Sequence, residues 1–469
     1  MNKRNEMPVD MEFALMEMGM EAFLMEEVER IGTSRDHLNG RKSAEKTLQK
    51  YRVDDGDIAR QIVANSFGFS EFQQASLFHR NGLFETQIDF QHGAMPLLPK
   101  LMAPLFGKSV GEMAFASYVS SAHPIPVAPV FLGLGAGRGF MDRDIITHLT
   151  DEKFDCPEYS AFARAIRDES KFIVTDRTQK SQTLLAEELS PLLRDAKLEK
   201  RLSIEQLNAL DFKLGPHNFG IVYSNELIDA LPTEPVLKID GDLIYGVRIM
   251  ACRDFSESNE DLENLGTRLG IPNLVPPEYV RSLMGKNECD RISFQPVFIP
   301  INYCPGLMEK VNDVPETFQN IDSPNFGGVY PIHTELDGMF SSIRNSFRHG
   351  VVMIIDYASF GGGQHNWNKT VNEFQTYRFG RDDLDFQIDS EQIVSRAKNY
   401  GMEPLEVMTL QEHLTRFLPL IATFTPEDID RGIKANGGEK FDNAESRLFF
   451  GYKVLTGLSE HYDIITLGF

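Results

Sequence analysis

Four short apolar segments separated by helix-like stretches constrain the fold of this 469-residue chain more than any other feature. Strands are predicted at Val127–Leu134, Lys171–Thr175, Phe219–Tyr223 and Val351–Ile355. Helices are predicted between them at Asp142–Leu149 and Lys180–Leu189. Strands that alternate with helices favour an α/β fold with a mostly parallel sheet and helices on both faces.

The rest of the chain is predicted to flank or interrupt this pattern. Residues 1–110 are predicted as an N-terminal helical region, with a helical stretch from about Ser43 to Gln74 and a strand or loop at Leu83–Phe90. The core then comprises residues 111–240 and 341–469. The proline-rich residues 241–340 are predicted as an insertion, either a lid that binds substrate or a structural cover for the edge of the sheet.

Composition excludes several classes of partner. The chain has 47 Lys and Arg against 69 Asp and Glu, a net charge of −22, which argues against nonspecific binding to nucleic acid or anionic lipid. No apolar run approaches the ~18–20 residues of a membrane span. The four cysteines are far apart, so neither a zinc ribbon nor a disulfide framework is predicted. We expect a reduced, cytoplasmic protein without a metal site, and a homodimer because dimers are the commonest oligomers.

The segment after the first predicted strand has glycine at every second position. Glycines let a backbone approach a ligand closely. A dinucleotide fingerprint needs G-x-G-x-x-G, but Arg138 and Phe140 stand where the last glycine would be, and the Gly-Lys of a P-loop is absent. The remaining G-x-G-x-G resembles the first loop of class I S-adenosylmethionine (SAM) methyltransferases, with a plain structural turn as the alternative. The candidate cofactor-binding residues of this loop are Gly133, Gly135, Ala136 and Gly137.

Polar residues follow the other predicted strands. Asp176, Asn225 and Asp356 stand where strands end, and the functional loops of a parallel sheet lie at those ends. The two oxygens of Asp176 could accept hydrogen bonds from both hydroxyls of a ribose. An ordinary helix cap is the alternative interpretation of this residue.

The third strand end carries a longer motif. The string Asn225-Glu-Leu-Ile-Asp-Ala-Leu-Pro232 is similar to the N-E-x-x-D-A-L-P signature of the MidA-like family of SAM-dependent methyltransferases. Ile354-Ile-Asp-Tyr357 matches the D-Y strand end of that family, and Gly380–Asp389 and Met408–Leu414 resemble two further family segments. The resemblance extends from about residue 80 to the C-terminus, and the chain is identified as a divergent member.

Three residues around the expected pocket differ from the family pattern. The family usually has an acidic residue where this chain has Gly133, a glycine at Ala358 and a threonine at Asp385. Glycine at position 133 removes a carboxylate that is expected near the methionine part of SAM.

The resemblance implies a class I methyltransferase fold, which is Rossmann-like, and SAM as the cofactor. It implies that Gly135, Ala136 and Gly137 cradle SAM and that Asp176 holds the ribose. Ser224 and Asn225 are then expected to face the methionine end. The candidate catalytic residues are Asn225, Glu226, Asp229 and Tyr357. Capping of a helix is the alternative for Asp229, and a structural role is the alternative for Asp356 and Tyr357.

Three functions stay open at this point. The family includes a mitochondrial enzyme that methylates arginine on a subunit of respiratory complex I, and fungal relatives that methylate small carboxylic acids. The chain is therefore expected to O-methylate a small carboxylic acid, or to N-methylate an arginine-bearing protein, or to act as a noncatalytic binding factor. A pocket enclosed by residues 241–340 would favour the first function and an open acidic groove the second. A blocked glycine loop would favour the third.

Overall fold

The computed structural model describes residues 49–86, 110, 128–152, 154, 160–239, 243–253, 260–284, 288–312, 329–358, 376–382, 384–415 and 462–469. The strands are Phe67–Gly68 (β1), Val130–Leu134 (β2), Lys171–Asp176 (β3), Leu202–Gln206 (β4), His217–Asn225 (β5), Thr233–Ile239 (β6), Leu243–Arg253 (β7), Leu274–Val275 (β8), Ile292–Pro300 (β9), Val329–His333 (β10), Phe347–Tyr357 (β11), Tyr377–Arg378 (β12), Glu403–Thr409 (β13) and Tyr462–Gly468 (β14).

The helices are Gly56–Ala64 (α1), Phe69–Phe78 (α2), Leu83–Thr86 (α3), Phe140–Thr150 (α4), Ser160–Glu169 (α5), Gln179–Glu188 (α6), Ser190–Leu193 (α7), Glu260–Leu269 (α8), Pro277–Met284 (α9), Leu307–Asn312 (α10), Leu336–Ser346 (α11), Ser390–Lys398 (α12) and Leu410–Thr415 (α13). Short 3₁₀ helices lie at Cys289–Arg291 and Ile301–Tyr303. Of the helices in the described ranges, none is both long and apolar enough to cross a membrane.

The strands predicted from the apolar segments form the centre of one seven-stranded sheet, the core sheet. Its strand order is β13-β14-β11-β5-β2-β3-β4. The pairs β2–β3, β3–β4, β2–β5 and β5–β11 are parallel, while β14 runs antiparallel to both β11 and β13. The mostly parallel α/β arrangement predicted from the sequence is therefore present.

Both faces of the core sheet are covered by helices. The face that carries Phe131 and Ile221 packs against α4, α5 and α6. The opposite face, which carries Leu132 and Val222, packs against α11 and α12. All five residues of β2 are buried, since a strand covered on both faces needs an almost continuous apolar run rather than an alternating one.

A second, antiparallel sheet is built mostly from the segment between β5 and β11. Its strand order is β10-β6-β7-β9-β12, and β1 and β8 also pair with β7. Helices α2 and α9 pack on one face of this sheet, and α1 and α8 pack on the other. The second sheet thus shares its cores with the helices near the N-terminus and with residues after β11. The inserted segment begins with β6 at Thr233, eight residues before the predicted start of the insertion at residue 241.

The helical stretch predicted from about Ser43 to Gln74 contains two helices, but a strand interrupts it. The side chain of Asp55 accepts hydrogen bonds from two backbone N–H groups and begins α1, which ends at Ala64. Residues 67–68 then form β1, which pairs with β7, before α2 begins. The segment Leu83–Phe90, predicted as strand or loop, contains α3 at its start, and its residues 87–90 lie outside the described ranges. Pairing with a distant strand overrides the local helical periodicity here.

Candidate functional site

The candidate site lies where the strand order of the core sheet reverses. From β2 the chain moves outward to β3 and β4, and it then returns to the other side of β2 to form β5 and β11. In open α/β sheets, a crevice forms beyond the carboxyl ends of the strands at such a point. A cavity of about 380 Å³ lies at this end of β2, β3 and β5, within the ~300–1,000 Å³ typical of small-molecule sites.

The cavity brings together every candidate site residue predicted from the sequence. The candidates that line it are Gly133, Gly135, Ala136, Gly137, Asp176, Ser224, Asn225, Glu226, Asp229 and Tyr357. Their individual roles stay predictions.

The glycine loop presents its backbone to the cavity. Gly135 and Gly137 have φ angles of 66° and 55°, in the left-handed region that favours glycine. The Ala136 N–H donates to the Thr175 carbonyl at 2.9 Å, which ties the loop to β3. A Cβ added at Gly137 would meet nothing within 4 Å. At Gly137 the loop is therefore open toward a ligand, and no residue of the described ranges blocks it there as expected of a noncatalytic binding factor.

Asp176, at the end of β3, holds the glycine loop in place. Its Oδ2 accepts a hydrogen bond from the Gly137 N–H at 3.0 Å, and its Oδ1 accepts one from the Thr178 N–H at 3.0 Å. Burial raises the pKa of the Asp176 carboxyl, and these N–H donors oppose the rise. Because a carboxylate has about four lone-pair sites, Asp176 can still accept hydrogen bonds from a ribose.

The loop after β5 forms the opposite wall of the cavity. Ser224 is buried, and the buried Oδ1 of Asn225 accepts no hydrogen bond from any residue in the described part of the chain. A buried polar atom without a partner suits a site that a ligand completes. Glu226 has a φ of 49°, an uncommon conformation for a residue with a Cβ. Backbone strain of this kind is concentrated at functional sites.

Asp356 shapes this wall from behind without lining the cavity. Its Oδ2 accepts hydrogen bonds from the N–H groups of Leu227, Ile228 and Asp229 at 3.1, 2.8 and 3.3 Å. Burial raises the pKa of the Asp356 carboxyl, the Ile228 N–H opposes the rise, and the charge of Glu226 adds to it. Of the two residues in the Asp-Tyr strand end, Asp356 therefore has the structural role, and Tyr357 lines the cavity.

One wall of the cavity is aromatic and was not predicted from the sequence. Phe78 of α2 and Phe84 of α3 line the cavity, and the guanidinium of Arg177 lies 4.5 Å from the ring centroid of Phe78. The Glu85 Oε1 accepts a hydrogen bond from the Gln179 N–H at 3.1 Å and so joins α3 to the start of α6. Phe78 and Phe84 precede the glycine loop by about 50 positions, so the motifs of the core sheet did not indicate them.

Two further walls of the cavity differ from the expectations. Residues 207–209 line it directly after β4, a strand that was not predicted. No described residue of the segment 241–340 lines it, so the enclosing lid expected from the sequence is not observed among these residues. Helices α2 and α3 contribute to the lining instead.

Asp142 and Tyr223 are two buried titratable residues that the sequence also did not indicate. Both line the cavity, although each is only 2% exposed, and the Tyr223 hydroxyl donates to the Asp142 Oδ1 at 2.9 Å. Burial raises the pKa of Asp142 to about 7. The missing acidic residue at position 133 was a signal that could have directed attention to them.

Metal ligands do not cluster anywhere in the described ranges: no group of three or more His, Cys, Asp or Glu residues there could hold an ion. His333 of β10 is buried, and its Nδ1 lies 3.0 Å from the Thr233 hydroxyl. This contact is structural.

The glycine loop and the acidic residue at the end of β3 lie where the strand order of the parallel sheet reverses. In α/β proteins this is the arrangement that holds nucleotide cofactors. The model of a family described as "Putative S-adenosyl-L-methionine-dependent methyltransferase" matches residues 120–387, more than half of the chain. The chain belongs to this family, and it is a SAM-dependent methyltransferase. SAM is its cofactor, as the sequence resemblance implied.

Solved structures share the fold at low sequence identity. An uncharacterized protein from Burkholderia thailandensis is 14% identical, with a TM-score of 0.54 over 92% of this chain and 93% of that one. A second Burkholderia thailandensis structure, bound to S-adenosyl-homocysteine, is 13% identical, with a TM-score of 0.52 over 92% of this chain and 94% of that one. No curated protein matches the sequence.

Glu226→Gly tests two roles of Glu226 separately, the effect of its backbone conformation on stability and the effect of its carboxyl group on methyl transfer. The left-handed backbone costs a residue with a Cβ ~1–2 kcal/mol, and glycine loses ~0.5–1 kcal/mol in chain entropy. Glu226→Gly is therefore expected to be as stable as the parent or up to about 1 kcal/mol more stable, while methyl transfer falls about 100-fold or more as an acid/base group is lost. Denaturant unfolding and S-adenosylhomocysteine production measure the two effects.

A matched control exists at Asn273, a residue with a φ of 58° that is exposed and outside the cavity. Asn273→Gly should leave methyl transfer unchanged. Full activity in Glu226→Gly would show that the glutamate serves neither catalysis nor acceptor binding.

Proposed function

We propose that this methyltransferase acts on a cationic nitrogen acceptor, such as a guanidinium or an amine. The observation that carries this choice is a group of three acidic side chains in the lining, Glu226 and Asp229 from the loop after β5 and Asp385 from the segment beyond β11, which the Phe386 N–H joins to the Asp229 carbonyl at 3.1 Å. We call this group the acidic end.

The positive charges in the lining lie elsewhere. Among the described lining residues, Arg138 belongs to the glycine loop, and Arg177 and Lys180 follow β3 on the side of Asp176. The acidic end is built from the loop after β5 and the segment beyond β11, where the described lining holds no Lys, Arg or His. The described cations of the lining therefore lie in the glycine loop and after β3, where Asp142 and Asp176 also lie, while the loop after β5 and the segment beyond β11 contribute only anions.

This charge distribution favours a cation over the carboxylic acid expected from the sequence. At an effective dielectric constant of ~20, two like charges ~4 Å apart repel each other by about 4 kcal/mol. A carboxylate acceptor would meet that repulsion at the acidic end, whereas a guanidinium or ammonium group would be attracted. The net charge of −22 adds a long-range attraction for basic acceptors.

The residues of the cavity suit SAM. Gly135 and Gly137 would approach it with their backbone, Asp176 would hold its ribose, and Asn225 would offer its buried oxygen. SAM supplies a methyl group activated by its positively charged sulfur. The protein has to orient the acceptor and hold the proton that leaves the nitrogen, for which Glu226 and Asp229 are the available bases. The strand order and the loop positions support the class I arrangement implied by the resemblance.

A panel of acceptors tests the proposal. The protein is incubated with SAM and with arginine peptides, free polyamines or small mono- and dicarboxylic acids, and formation of S-adenosylhomocysteine is measured. We expect the best cationic acceptor to exceed the best carboxylic acid at least about tenfold, which corresponds to ~1.4 kcal/mol. Asp385→Asn should narrow that difference by removing one of the three carboxyl groups.

A preference for carboxylic acids in the same assay would reverse the assignment and support the O-methylation expected from the sequence. The control is Asp211→Ala, which removes an exposed carboxyl group outside the cavity and should leave the preference unchanged.

A further inference from the structure

We propose that Asp142, on helix α4, replaces the acidic residue missing at Gly133 and supplies the negative charge that faces the positively charged methionine part of SAM. The proposal rests on SAM as the cofactor and concerns one residue of its binding site. Asp142 is then a cofactor-positioning residue of a kind that the glycine-loop motif does not contain.

A side chain at position 133 and the Asp142 carboxyl in its present position exclude each other. A Cβ added at Gly133 would lie 2.2 Å from the Asp142 Oδ1, a distance that real Cβ atoms essentially never show. It would also lie 3.0 Å from the Tyr223 Cε2, which is a tight contact. A side chain at position 133 and the Asp142 carboxyl therefore compete for one space, and in this chain the carboxyl from α4 occupies it. Both residues open into the same cavity.

The surroundings hold the Asp142 carboxyl in place but leave its charge unneutralised. The Tyr223 hydroxyl donates to its Oδ1, and the residue lies in the first turn of α4, where a helix favours negative charge. No described Lys, Arg or His forms an ion pair with Asp142. A buried carboxyl that has no cation is expensive to keep, and such groups are concentrated at functional sites. A positively charged ligand would complete the arrangement.

The charged groups around Asp142 determine its pH dependence. Tyr223 faces it from β5, and Asp176 acts on it from the end of β3. On its own helix, Arg143 turns away and pairs with Asp144 and Glu188. Burial raises the pKa of Asp142 to about 7, the Tyr223 hydrogen bond opposes the rise, and the charge of Asp176 adds to it. Because a cation binds the ionised carboxylate, SAM affinity should increase as the pH rises through about 7 and should then level off.

Calorimetric titration with SAM between pH 5.5 and 8.5 tests the charge. Asp142→Asn keeps the shape of the side chain and is expected to weaken SAM binding about 10- to 100-fold at pH 8, the usual range for a charged hydrogen bond. It should also lose the increase in affinity near pH 7, which a merely structural role of the carboxyl group would not affect. Asp144→Asn removes the same charge two residues away and should bind SAM within about twofold of the parent.

A reciprocal exchange tests the competition for space. Gly133→Asp alone should lose most SAM binding because the new side chain collides with Asp142. The double variant Gly133→Asp/Asp142→Ala should recover it to within about tenfold of the parent, since close neighbours couple in such cycles. Thermal unfolding without SAM shows whether each variant is folded. The exchange therefore still tests the proposal if Asp142→Asn does not fold.

The outcomes distinguish a wrong role for Asp142 from a wrong cofactor. If the parent protein does not bind SAM, the cofactor assignment fails with it. If the parent binds SAM, and Asp142→Asn binds it equally well with the same pH profile, only the role of Asp142 is refuted. Equal damage from Gly133→Asp whether or not Asp142 is present would refute the competition for space.

Discussion

Asp176→Ala is expected to lose SAM binding by about 100-fold or more while the protein stays folded. The carboxylate accepts hydrogen bonds from the Gly137 and Thr178 N–H groups, so alanine releases the glycine loop and also removes the acceptors for the ribose. Two charge-assisted hydrogen bonds contribute ~1.5–3 kcal/mol each, and each 1.4 kcal/mol is a factor of ten in affinity. Calorimetry with SAM and with S-adenosylhomocysteine measures the loss.

Asp176→Asn should lie between the parent and the alanine variant, because its carbonyl oxygen still accepts one of the two loop hydrogen bonds. Since the ribose is common to SAM and S-adenosylhomocysteine, both ligands should be affected equally. The effect of Asp142→Asn on SAM, by contrast, should depend on pH. An affinity of Asp176→Ala within about threefold of the parent would remove Asp176 from the binding site.

The central strands of the core sheet could be predicted because both of their faces are buried. A strand covered on both sides must be apolar throughout, so β2, β3, β5 and β11 stand out in the sequence as continuous apolar runs. The edge strands β4 and β13 are half-exposed and mix polar with apolar residues, and they were missed. Their position depends on pairing with distant strands, which periodicity does not reveal.

The second sheet was missed for a different reason. The prolines of residues 241–340 predicted an insertion, and no strands were predicted within it. In the structure, Pro235 of β6 lies opposite Pro331 of β10, the edge strand of this sheet, and Pro296 lies within β9. Proline cannot donate a hydrogen bond to a strand ladder, but an edge strand and its neighbour can accommodate it.

The candidate site could likewise be predicted only in part. Residues at strand ends were predictable, since parallel strands bring their carboxyl ends to one edge of the sheet. Asp176 and Asn225 line the cavity, whereas Asp356 supports its wall from behind. Phe78 and Phe84 reach the cavity from helices that precede the core, and Asp142 reaches it from the first turn of α4. Only the three-dimensional packing places these residues beside the glycine loop. The closeness of Asp142 to Gly133 shows how a motif can lose a residue while the site keeps a carboxyl group.

The wall that carries the acidic end depends on Asp356, and its replacement should have the largest effect on stability. Asp356→Ala removes the acceptor for the N–H groups of Leu227, Ile228 and Asp229. A buried polar group left without a partner costs ~1–3 kcal/mol, and losses of more than ~4 kcal/mol are characteristic of broken buried networks. We expect Asp356→Ala to lose about 3–5 kcal/mol in the free energy of unfolding, measured by denaturant titration.

Asp356→Asn should lose less, because its carbonyl oxygen can accept from the same N–H groups, although its amide then faces the Tyr357 N–H that the second carboxylate oxygen accepts. The control is Asp168→Ala, which removes a half-exposed carboxylate paired with Arg167, and such surface pairs contribute ~0–1 kcal/mol. If Asp356→Ala unfolds like this control, the loop after β5 does not need the carboxylate for its conformation. In the expected case, Glu226 and Asp229 lose their fixed positions together, so acceptor preference and stability should fall in the same variant, whereas Asp385→Asn should change only the preference.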